Sequence, residues 1–268
     1  MSDLEQYRVG TGEQDVLDRI DPDDDGGMRK EDGRAAFKKL SHRLVELQRM
    51  LYADGGRGLL VVLQAMDAGG KDSTIRAVFG PLNPQGCRVV SFKGPTDEEL
   101  RHDFLWRIHH HAPPAGYITV FNRSHYEDVL IVRVKDLVPE RRWRPRYEHI
   151  NAFEKLITDE GTVLVKFMLH ISKGYQRERL QRRLDRPDKQ WKFNPDDLAE
   201  RARWGEYQQA FNDALSACST AHAPWYVIPA ERRWYRNYLV TRILVSTIEG
   251  LELSYPKPDY DPSTIEIP

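Results

Sequence analysis

The feature that most constrains the fold is a short apolar run that passes directly into a glycine-rich turn. Residues 58–64, Gly-Leu-Leu-Val-Val-Leu-Gln, form a continuous apolar run, which predicts a strand buried on both faces. The next ten residues, Ala-Met-Asp-Ala-Gly-Gly-Lys-Asp-Ser-Thr, lead into a helical pattern. A strand, a glycine-rich turn, a lysine and a helix in this order are typical of a loop that binds phosphate groups.

Each part of this turn can contribute to anion binding. Gly69 and Gly70 permit backbone angles that direct consecutive N–H groups at phosphate oxygens. A helix predicted to begin near Ser73 adds the positive end of its dipole, and Lys71 can place an ammonium group against the same anion. The alternative is an ordinary turn with Lys71 in solvent, which the order of the elements disfavours. We therefore assign to phosphate binding Ala68, Gly69, Gly70, Lys71, Asp72 and Ser73.

The turn departs from the usual pattern, G-x4-G-K-[ST], in two places. Positions 65 and 72 would be glycine and a hydroxyl residue, but this chain has alanine and aspartate there, and its hydroxyls are displaced to Ser73 and Thr74. Asp67 inside the loop would repel phosphates unless it binds a Mg²⁺ ion or accepts a hydrogen bond from the phosphate acceptor. Asp67 and Lys71 are therefore candidate catalytic residues, and Asp67 is the candidate metal ligand.

Strand and helix patterns alternate along the rest of the chain. Apolar runs predict strands at residues 58–64, 87–92, 117–121, 162–169 and 225–228. Helical spacing predicts helices at residues 28–53, 73–79, 97–109, 146–159, 196–217 and 231–253. This alternation predicts a five-stranded parallel sheet between two helical layers.

Composition and charge indicate which partners the protein binds and where its acidic leader ends and its folded domain begins. The 268 residues carry a net charge of −1, so the whole chain shows no bias towards nucleic acid or membrane. Residues 1–28 form an acidic leader with little to bury, which we expect to be mobile or draped over a single domain at residues 29–268. The start of the chain lacks the pattern of a signal peptide, which predicts a cytoplasmic protein, and Cys87 and Cys218 are expected to be free, buried thiols.

A second loop, Phe-Asn-Arg-Ser-His-Tyr-Glu-Asp at residues 121–128, follows the third predicted strand. Asn122 stands where related folds often place an acidic metal ligand, and Arg123 can bind a phosphate through two hydrogen bonds. Glu127 lies one turn further on. Asn122 could instead cap a helix, with the acids in its first turn. We predict that Arg123 is catalytic and that the residues contacting the nucleotide are Asn122, Arg123 and Glu127.

Residues 172–193 are strongly basic and follow the fourth predicted strand, where nucleoside monophosphate kinases carry a helical lid. Lys173, Gln176, Arg179 and Arg183 recur at three- and four-residue steps, so they share one helical face. A basic face is often only a solvated surface. Its position in the fold favours a lid that binds phosphates through Arg179 and Arg183.

Taken together, these segments resemble the polyphosphate kinase 2 family of the P-loop kinase superfamily. The resemblance rests on AMDAGGKDST, SFKGPT, HDFLWRIH, FNRSHYEDVLIVRV, the basic segment from SKGYQ to KQWKF, and PWYVIPAERRWYRN. It implies a three-layer αβα core like that of thymidylate kinase, a helical lid, and Mg²⁺ dependence in which Mn²⁺ can substitute. It also places Lys93 and Arg107 among residues that line a polyphosphate channel. The asparagine at position 122 resembles the class III members, which phosphorylate AMP as well as ADP.

The expected activity is therefore transfer of the terminal phosphoryl group of inorganic polyphosphate to AMP and ADP. An ATP-dependent kinase on the same fold is one alternative, and a non-enzymatic protein that binds polyanions or RNA is another. We further expect no nucleic-acid or membrane partner and a homo-oligomeric assembly.

Overall fold

The computed structural model describes residues 4–267 and contains one sheet of five parallel strands. Its strands are β1 (Gly58–Ala65), β2 (Cys87–Ser91), β3 (Ile118–Asn122), β4 (Thr162–His170) and β5 (Trp225–Pro229). Their order across the sheet is β2-β3-β1-β4-β5, and each pair is parallel. The predicted five-stranded parallel sheet is confirmed. β1 lies at its centre with every residue buried, as its unbroken apolar run requires.

Helices fill the connections between the strands. The helices are α1 (Val16–Arg19), α2 (Lys30–Asp54), α3 (Lys71–Val78), α4 (Trp106–His109), α5 (Ile131–Val134), α6 (Glu140–Trp143), α7 (Arg146–Asp159), α8 (Lys173–Asp185), α9 (Asp196–Ala202), α10 (Trp204–Cys218) and α11 (Arg233–Glu249). One group, in which α11 contacts α2 and α3, packs on the sheet, and a second group contains α7 and α10. Lys166 of β4 donates to Glu154 of α7, so the second group covers the face to which Lys166 points. None of the helices in the described part of the chain is both long and apolar enough to span a bilayer.

Two predicted helices are wrong in their extent. Residues 97–109 form only a 3₁₀ turn, Glu99–Arg101, and the short helix α4. The Asp103 carboxylate accepts a hydrogen bond from the Leu105 N–H at 2.9 Å, which satisfies that donor outside a helix. Residues 196–217 are divided at Arg203 into α9 and α10, because the ψ angle of Arg203 is 22° rather than helical.

The expectation that the acidic leader has little to bury is also wrong. Buried apolar side chains recur within its described part, namely Leu4, Tyr7, Val9, Val16, Leu17 and Ile20. Val9 donates its N–H to the Trp225 carbonyl at 2.9 Å, and an antiparallel bridge joins Arg8 to Tyr226. The leader therefore covers the outer edge of β5, which would otherwise expose unpaired backbone groups. Both cysteines are free as predicted, with Cys218 buried and Cys87 only partly so.

His170 at the end of β4 makes the fold sensitive to acid. Its side chain is 7% exposed, and burial lowers its pKa to about 4, with Asp18 and Asp21 opposing that shift. The unfolded chain, with an imidazole pKa near 6.5, therefore binds more protons than the folded protein below that pH. The stability present above pH 6.5 is lost as the pH falls towards 4.

We expect His170→Gln to reduce this acid sensitivity. The free energy of unfolding of the wild-type protein should fall by about 2 kcal/mol more than that of the variant between pH 7 and pH 5. Urea titrations of both proteins at the two pH values measure this difference. Parallel pH dependences would show that His170 does not titrate in this way.

Candidate active site

The predicted phosphate-binding loop connects β1 to α3 at the carboxyl edge of the sheet. Ala68 and Gly70 adopt positive φ angles of 62° and 100°, which turn the backbone sharply into α3. Gly69 cannot carry a side chain, because a Cβ there would lie 2.7 Å from the Ala65 Cβ. The helix begins at Lys71, two residues earlier than predicted, so the N–H groups at its start border the same turn.

Lys71 lies inside this loop, not in solvent. Its Nζ donates to the Ala65 carbonyl at the end of β1, at 2.9 Å. Burial, together with the charge of Arg123, lowers the pKa of Lys71, while Asp67 and Glu127 oppose the shift. The alternative in which the Lys71 ammonium lies free in solvent is therefore wrong, and phosphate binding by the turn stays a prediction.

Arg123 and Asp67 form an ion pair between the two loops. An Arg123 Nη donates to the Asp67 carboxylate at 2.9 Å, and Arg123 itself has a φ angle of 63°. Burial disfavours its charge, but Glu127 and Asp67 outweigh that effect and raise the pKa of Arg123. A positive φ at a non-glycine residue costs free energy, and such residues are enriched at functional sites.

Asn122 faces the phosphate-binding loop, and its amide donates to the Asp72 carboxylate at 3.1 Å. It does not cap a helix. Ser124 performs that role, since its Oγ accepts from the Tyr126 N–H at the start of a 3₁₀ turn. The alternative of a capping asparagine is therefore wrong.

Two cavities meet at the Asp67–Arg123 pair. The larger, which we call the basic groove, has a volume of about 690 Å³ and is lined by eleven lysines and arginines against three aspartates. The smaller, which we call the inner cavity, has a volume of about 200 Å³ and is lined partly by apolar side chains, including Leu130, Ile131, Tyr207 and Phe211. Asp67, Arg123 and Asp197 line both cavities.

Comparison with known proteins identifies the family. Residues 27–255 match the family described as polyphosphate kinase 2. The chain belongs to the polyphosphate kinase 2 family. It is 54% identical to the AMP/ADP-polyphosphate phosphotransferase of Meiothermus ruber, over 96% of this chain and 97% of that protein. It is 42% identical to the ADP-polyphosphate phosphotransferase of Rhodopseudomonas palustris, over 94% and 92% of the two chains.

Solved structures agree with this assignment. The crystal structure of polyphosphate kinase 2 from Arthrobacter aurescens TC1 superposes with a TM-score of 0.92 at 45% sequence identity, covering 96% of this chain and 92% of that one. A structure described as a putative polyphosphate kinase 2 from Pseudomonas aeruginosa superposes with a TM-score of 0.84 at 30% identity, covering 89% and 52%. The predicted three-layer P-loop kinase fold is confirmed by these likenesses.

Most of the predicted site residues of this polyphosphate kinase 2 family member line the basic groove. They are Asp67, Ala68, Gly69, Gly70, Lys71, Asp72, Ser73, Lys93, Asn122, Arg123, Arg179 and Arg183. Glu127 instead lines the inner cavity. Arg107 does not line the groove; it is 8% exposed and donates to the Lys93 carbonyl at 3.0 Å. Its contact with the groove is therefore indirect, through the backbone of Lys93.

The predicted lid helix, α8, is attached to the phosphate-binding loop. The Gln176 side chain donates to the Asp67 carbonyl at 3.0 Å, and Arg183 pairs with Asp197 at 3.0 Å. Ser172 caps the helix by accepting from the Tyr175 N–H. Further groove residues were not predicted individually, namely Arg76, Arg182, Arg186, Lys189, Lys192, Asp197 and Arg233. The basic run at 172–193 and the pair of arginines at 232–233 are the sequence signals that could have indicated most of them.

Arg236 on α11 is a buried cation next to the predicted phosphate-binding loop, and the sequence did not indicate its place there. It is 2% exposed and donates to Ser73 Oγ at 3.1 Å. It also donates to the Asn237 side-chain oxygen, and no carboxylate of residues 4–267 forms an ion pair with it. A Cβ at Gly70 would lie 2.2 Å from an Arg236 Nη, so this guanidinium also explains the glycine. Burial lowers its pKa to about 10, which leaves it charged at neutral pH.

We expect Arg236→Met to weaken polyphosphate binding without unfolding the protein. The KM for polyphosphate should rise about tenfold, the order expected for one charge acting across about 12 Å at an effective dielectric constant near 20. The KM for ADP should change little, and Arg236→Lys should restore part of the loss. Because the lost charge is buried without a carboxylate partner, thermal unfolding should not shift to lower temperature. A fall in melting temperature with both KM values unchanged would reduce Arg236 to a structural residue.

Proposed function

We propose that this protein transfers the terminal phosphoryl group of inorganic polyphosphate to AMP and ADP, giving ADP and ATP. The observation that carries this proposal is the meeting of two unlike cavities at Asp67, Arg123 and Asp197. One cavity suits a polyanion and the other suits a nucleotide. The names of the Meiothermus and Rhodopseudomonas relatives support both substrates.

The basic groove favours polyphosphate over ATP as the donor. Its large excess of positive charge matches a polymer that carries a negative charge on every phosphate. Phe92 is the only aromatic residue in its described lining. That ring already packs edge-on against Phe121 at 4.9 Å and below Arg107 at 5.4 Å, so it is poorly placed to stack on a base.

The inner cavity suits the acceptor nucleotide. Tyr207 and Phe211 supply apolar surface for a base, and Glu127 and Asn194 supply polar groups. We propose that Asn122, Arg123 and Glu127 contact the acceptor. The uncharged amide at position 122 avoids the repulsion that a carboxylate would impose on a nucleotide phosphate.

The residues present fit a Mg²⁺ ion. Mg²⁺ typically takes one or two carboxylates, with phosphate oxygens and water completing its shell. We propose that Asp67 holds the ion, with Asp197 as the next carboxylate, since the charge of Asp67 adds to burial in raising the Asp197 pKa. When bound, Mg²⁺, or Mn²⁺ in its place, would neutralise charge on the phosphates. No group of three or more potential metal-binding side chains was found among residues 4–267, which fits a site completed by substrate.

The chemistry then requires alignment more than covalent participation. A phosphate oxygen of the acceptor attacks the terminal phosphorus of the polymer, and the bond from that phosphorus to the bridging oxygen breaks. The shortened chain leaves with the negative charge. Lys71 and Arg123 lie where they can offset charge on the transferring group. One phosphoanhydride bond replaces another, so we propose that the reaction is reversible.

A donor and acceptor assay tests this function. Purified protein is incubated with polyphosphate and Mg²⁺ and with AMP, ADP or GDP separately, and products are separated chromatographically. Parallel reactions supply ATP in place of polyphosphate, and Lys71→Ala serves as the inactive control. Absence of any phosphorylated nucleotide with polyphosphate would refute the proposal. Efficient use of ATP alone would favour the ATP-dependent alternative, and salt-sensitive RNA binding without product would favour the non-enzymatic one.

Three further expectations stay proposals. We propose a cytoplasmic location, a homo-oligomeric assembly and no nucleic-acid partner. The division at residue 28 between a leader and the kinase domain also stays a prediction.

A further inference from the structure

A second basic cavity adjoins the basic groove and has a volume of about 830 Å³. It lies between the start of α2, the outer side of α8 and the start of α11, and we call it the outer cavity. Arg179, Arg182 and Arg233 line both the outer cavity and the basic groove. The two therefore form one continuous positively charged surface, which begins at the phosphate-binding loop and ends at Lys30 and Arg34 on α2.

The positive charge of the outer cavity is largely unneutralised by the protein. Arg29 pairs with Asp32, and Arg232 pairs with Asp23 and Asp25. Glu231 accepts a hydrogen bond from the Ser172 N–H. No ion pair is found within residues 4–267 for five other cations of the lining, which are Lys30, Arg34, Arg179, Arg182 and Arg233. Among the lining carboxylates of this part of the chain, only Glu178 forms no ion pair or hydrogen bond through its side chain.

The unpaired cations also repel one another. Burial lowers the pKa of Arg179, and the charges of Arg233, Arg182 and Arg183 lower it further. A protein gains nothing in stability from such a row of like charges. An anion with many charges, lying along the row, would relieve the repulsion.

We propose that the outer cavity binds the distal part of the polyphosphate chain while its terminal phosphates lie at the loop. This inference rests on the proposed function, and it assigns Lys30 and Arg34 to substrate binding. Short chains would occupy only the basic groove. Long chains would also reach the outer cavity, so these two residues set the preference for polymer length.

Polyphosphate fits this cavity better than single-stranded RNA does. RNA-binding surfaces of this kind offer free aromatic faces for stacking. Here Trp234 packs against Gly33, where a Cβ would lie 2.2 Å from its ring, and Arg179 lies over the Tyr175 ring at 6.0 Å. Both aromatic residues of the lining are therefore occupied within the protein.

A double variant, Lys30→Ala with Arg34→Ala, tests the inference. KM is measured for long-chain polyphosphate and for the shortest chain that the wild-type protein uses, with ADP as the acceptor. We expect the long-chain KM to rise about tenfold at low salt, since two exposed charge contacts are lost. The short-chain KM, the kcat and the KM for ADP should stay within twofold. The salt dependence of the long-chain KM should also become shallower.

The matched control is Lys38→Ala with Lys39→Ala, which removes the same charge from exposed positions of the same helix outside the cavity lining. It should leave the long-chain KM unchanged. Equal effects of the two double variants, an equal rise for short and long chains, or an unchanged long-chain KM in the first would each overturn the inference. Displacement of long-chain polyphosphate from the wild type by an equal concentration of phosphate groups in single-stranded RNA would reassign the cavity to nucleic acid. A wild-type protein without polyphosphate turnover would refute the proposed function itself.

Discussion

Arg123→Ala should lower kcat by about 10³-fold, which is the loss typical of an arginine that stabilises a transferring phosphoryl group. Arg123 lies on the wall shared by the basic groove and the inner cavity, so its guanidinium can reach donor and acceptor phosphates together. The fold should be little affected, because the Asp67–Arg123 pair is partly exposed and such pairs contribute little to stability. Steady-state kinetics with polyphosphate and ADP measure the effect.

The matched control for this prediction is Arg123→Lys, which keeps the charge and removes the paired N–H groups. An intermediate loss is expected, because a lysine cannot bind one phosphate through two parallel hydrogen bonds. If alanine costs less than tenfold, Arg123 does not stabilise the transferring group. A loss confined to KM would instead indicate a role in binding alone.

Lys71→Met should lower kcat/KM for polyphosphate by about 10²- to 10³-fold, the range measured when one transition-state donor is removed. Methionine keeps the apolar stem in the loop and removes only the ammonium group. Thermal stability should not fall with activity. Burial and Arg123 both disfavour the charged form of Lys71, so the wild-type loop holds this charge at a cost to the folded state.

Comparing the activity of the Lys71→Met variant with its melting temperature distinguishes a catalytic role of the lysine charge from structural support of the loop. Lost activity with an equal or higher melting temperature is the expected result for a functional charge. Lost activity with a clear fall in melting temperature would mean that the bond from Lys71 to the Ala65 carbonyl supports the loop itself. Lys71→Arg should not restore full activity, since the larger group does not fit the position of a single ammonium.

The central part of the fold was predictable because its signals are local. β1 is a continuous apolar run, and Gly69, Gly70 and Lys71 follow it directly at the start of a helix, which is the order of elements that predicted a phosphate-binding loop. The carboxyl ends of β1 and β3 then bring Asp67 and Arg123 together, which follows once the sheet is parallel. Neither cavity could be predicted from the sequence, because the residues that line each one come from segments that are distant in sequence.

The failures have physical causes at particular residues. The acidic composition of the leader masked its apolar positions, which are dispersed and fit no regular period. Residues 97–109 have helical spacing, but a side-chain hydrogen bond at Asp103 competes with the helix. Arg236 occupies one position of an otherwise regular helix, so nothing in its local sequence distinguishes it. Its contact with the loop at Gly70 and Ser73 exists only because α11 packs beneath that loop in the folded protein.

The N-terminal segment has a consequence for attempts to shorten this protein. A variant beginning at residue 29 would keep the predicted phosphate-binding loop and both helical layers. Its sequence would correspond to the whole domain that we predicted at residues 29–268. It would also lose the backbone bond from Val9 to Trp225 and uncover the outer edge of β5. Exposed strand edges pair with other chains. We therefore expect a variant without the acidic segment to aggregate more readily than the full-length protein, so fusion or trimming at this end of the molecule should leave the segment intact.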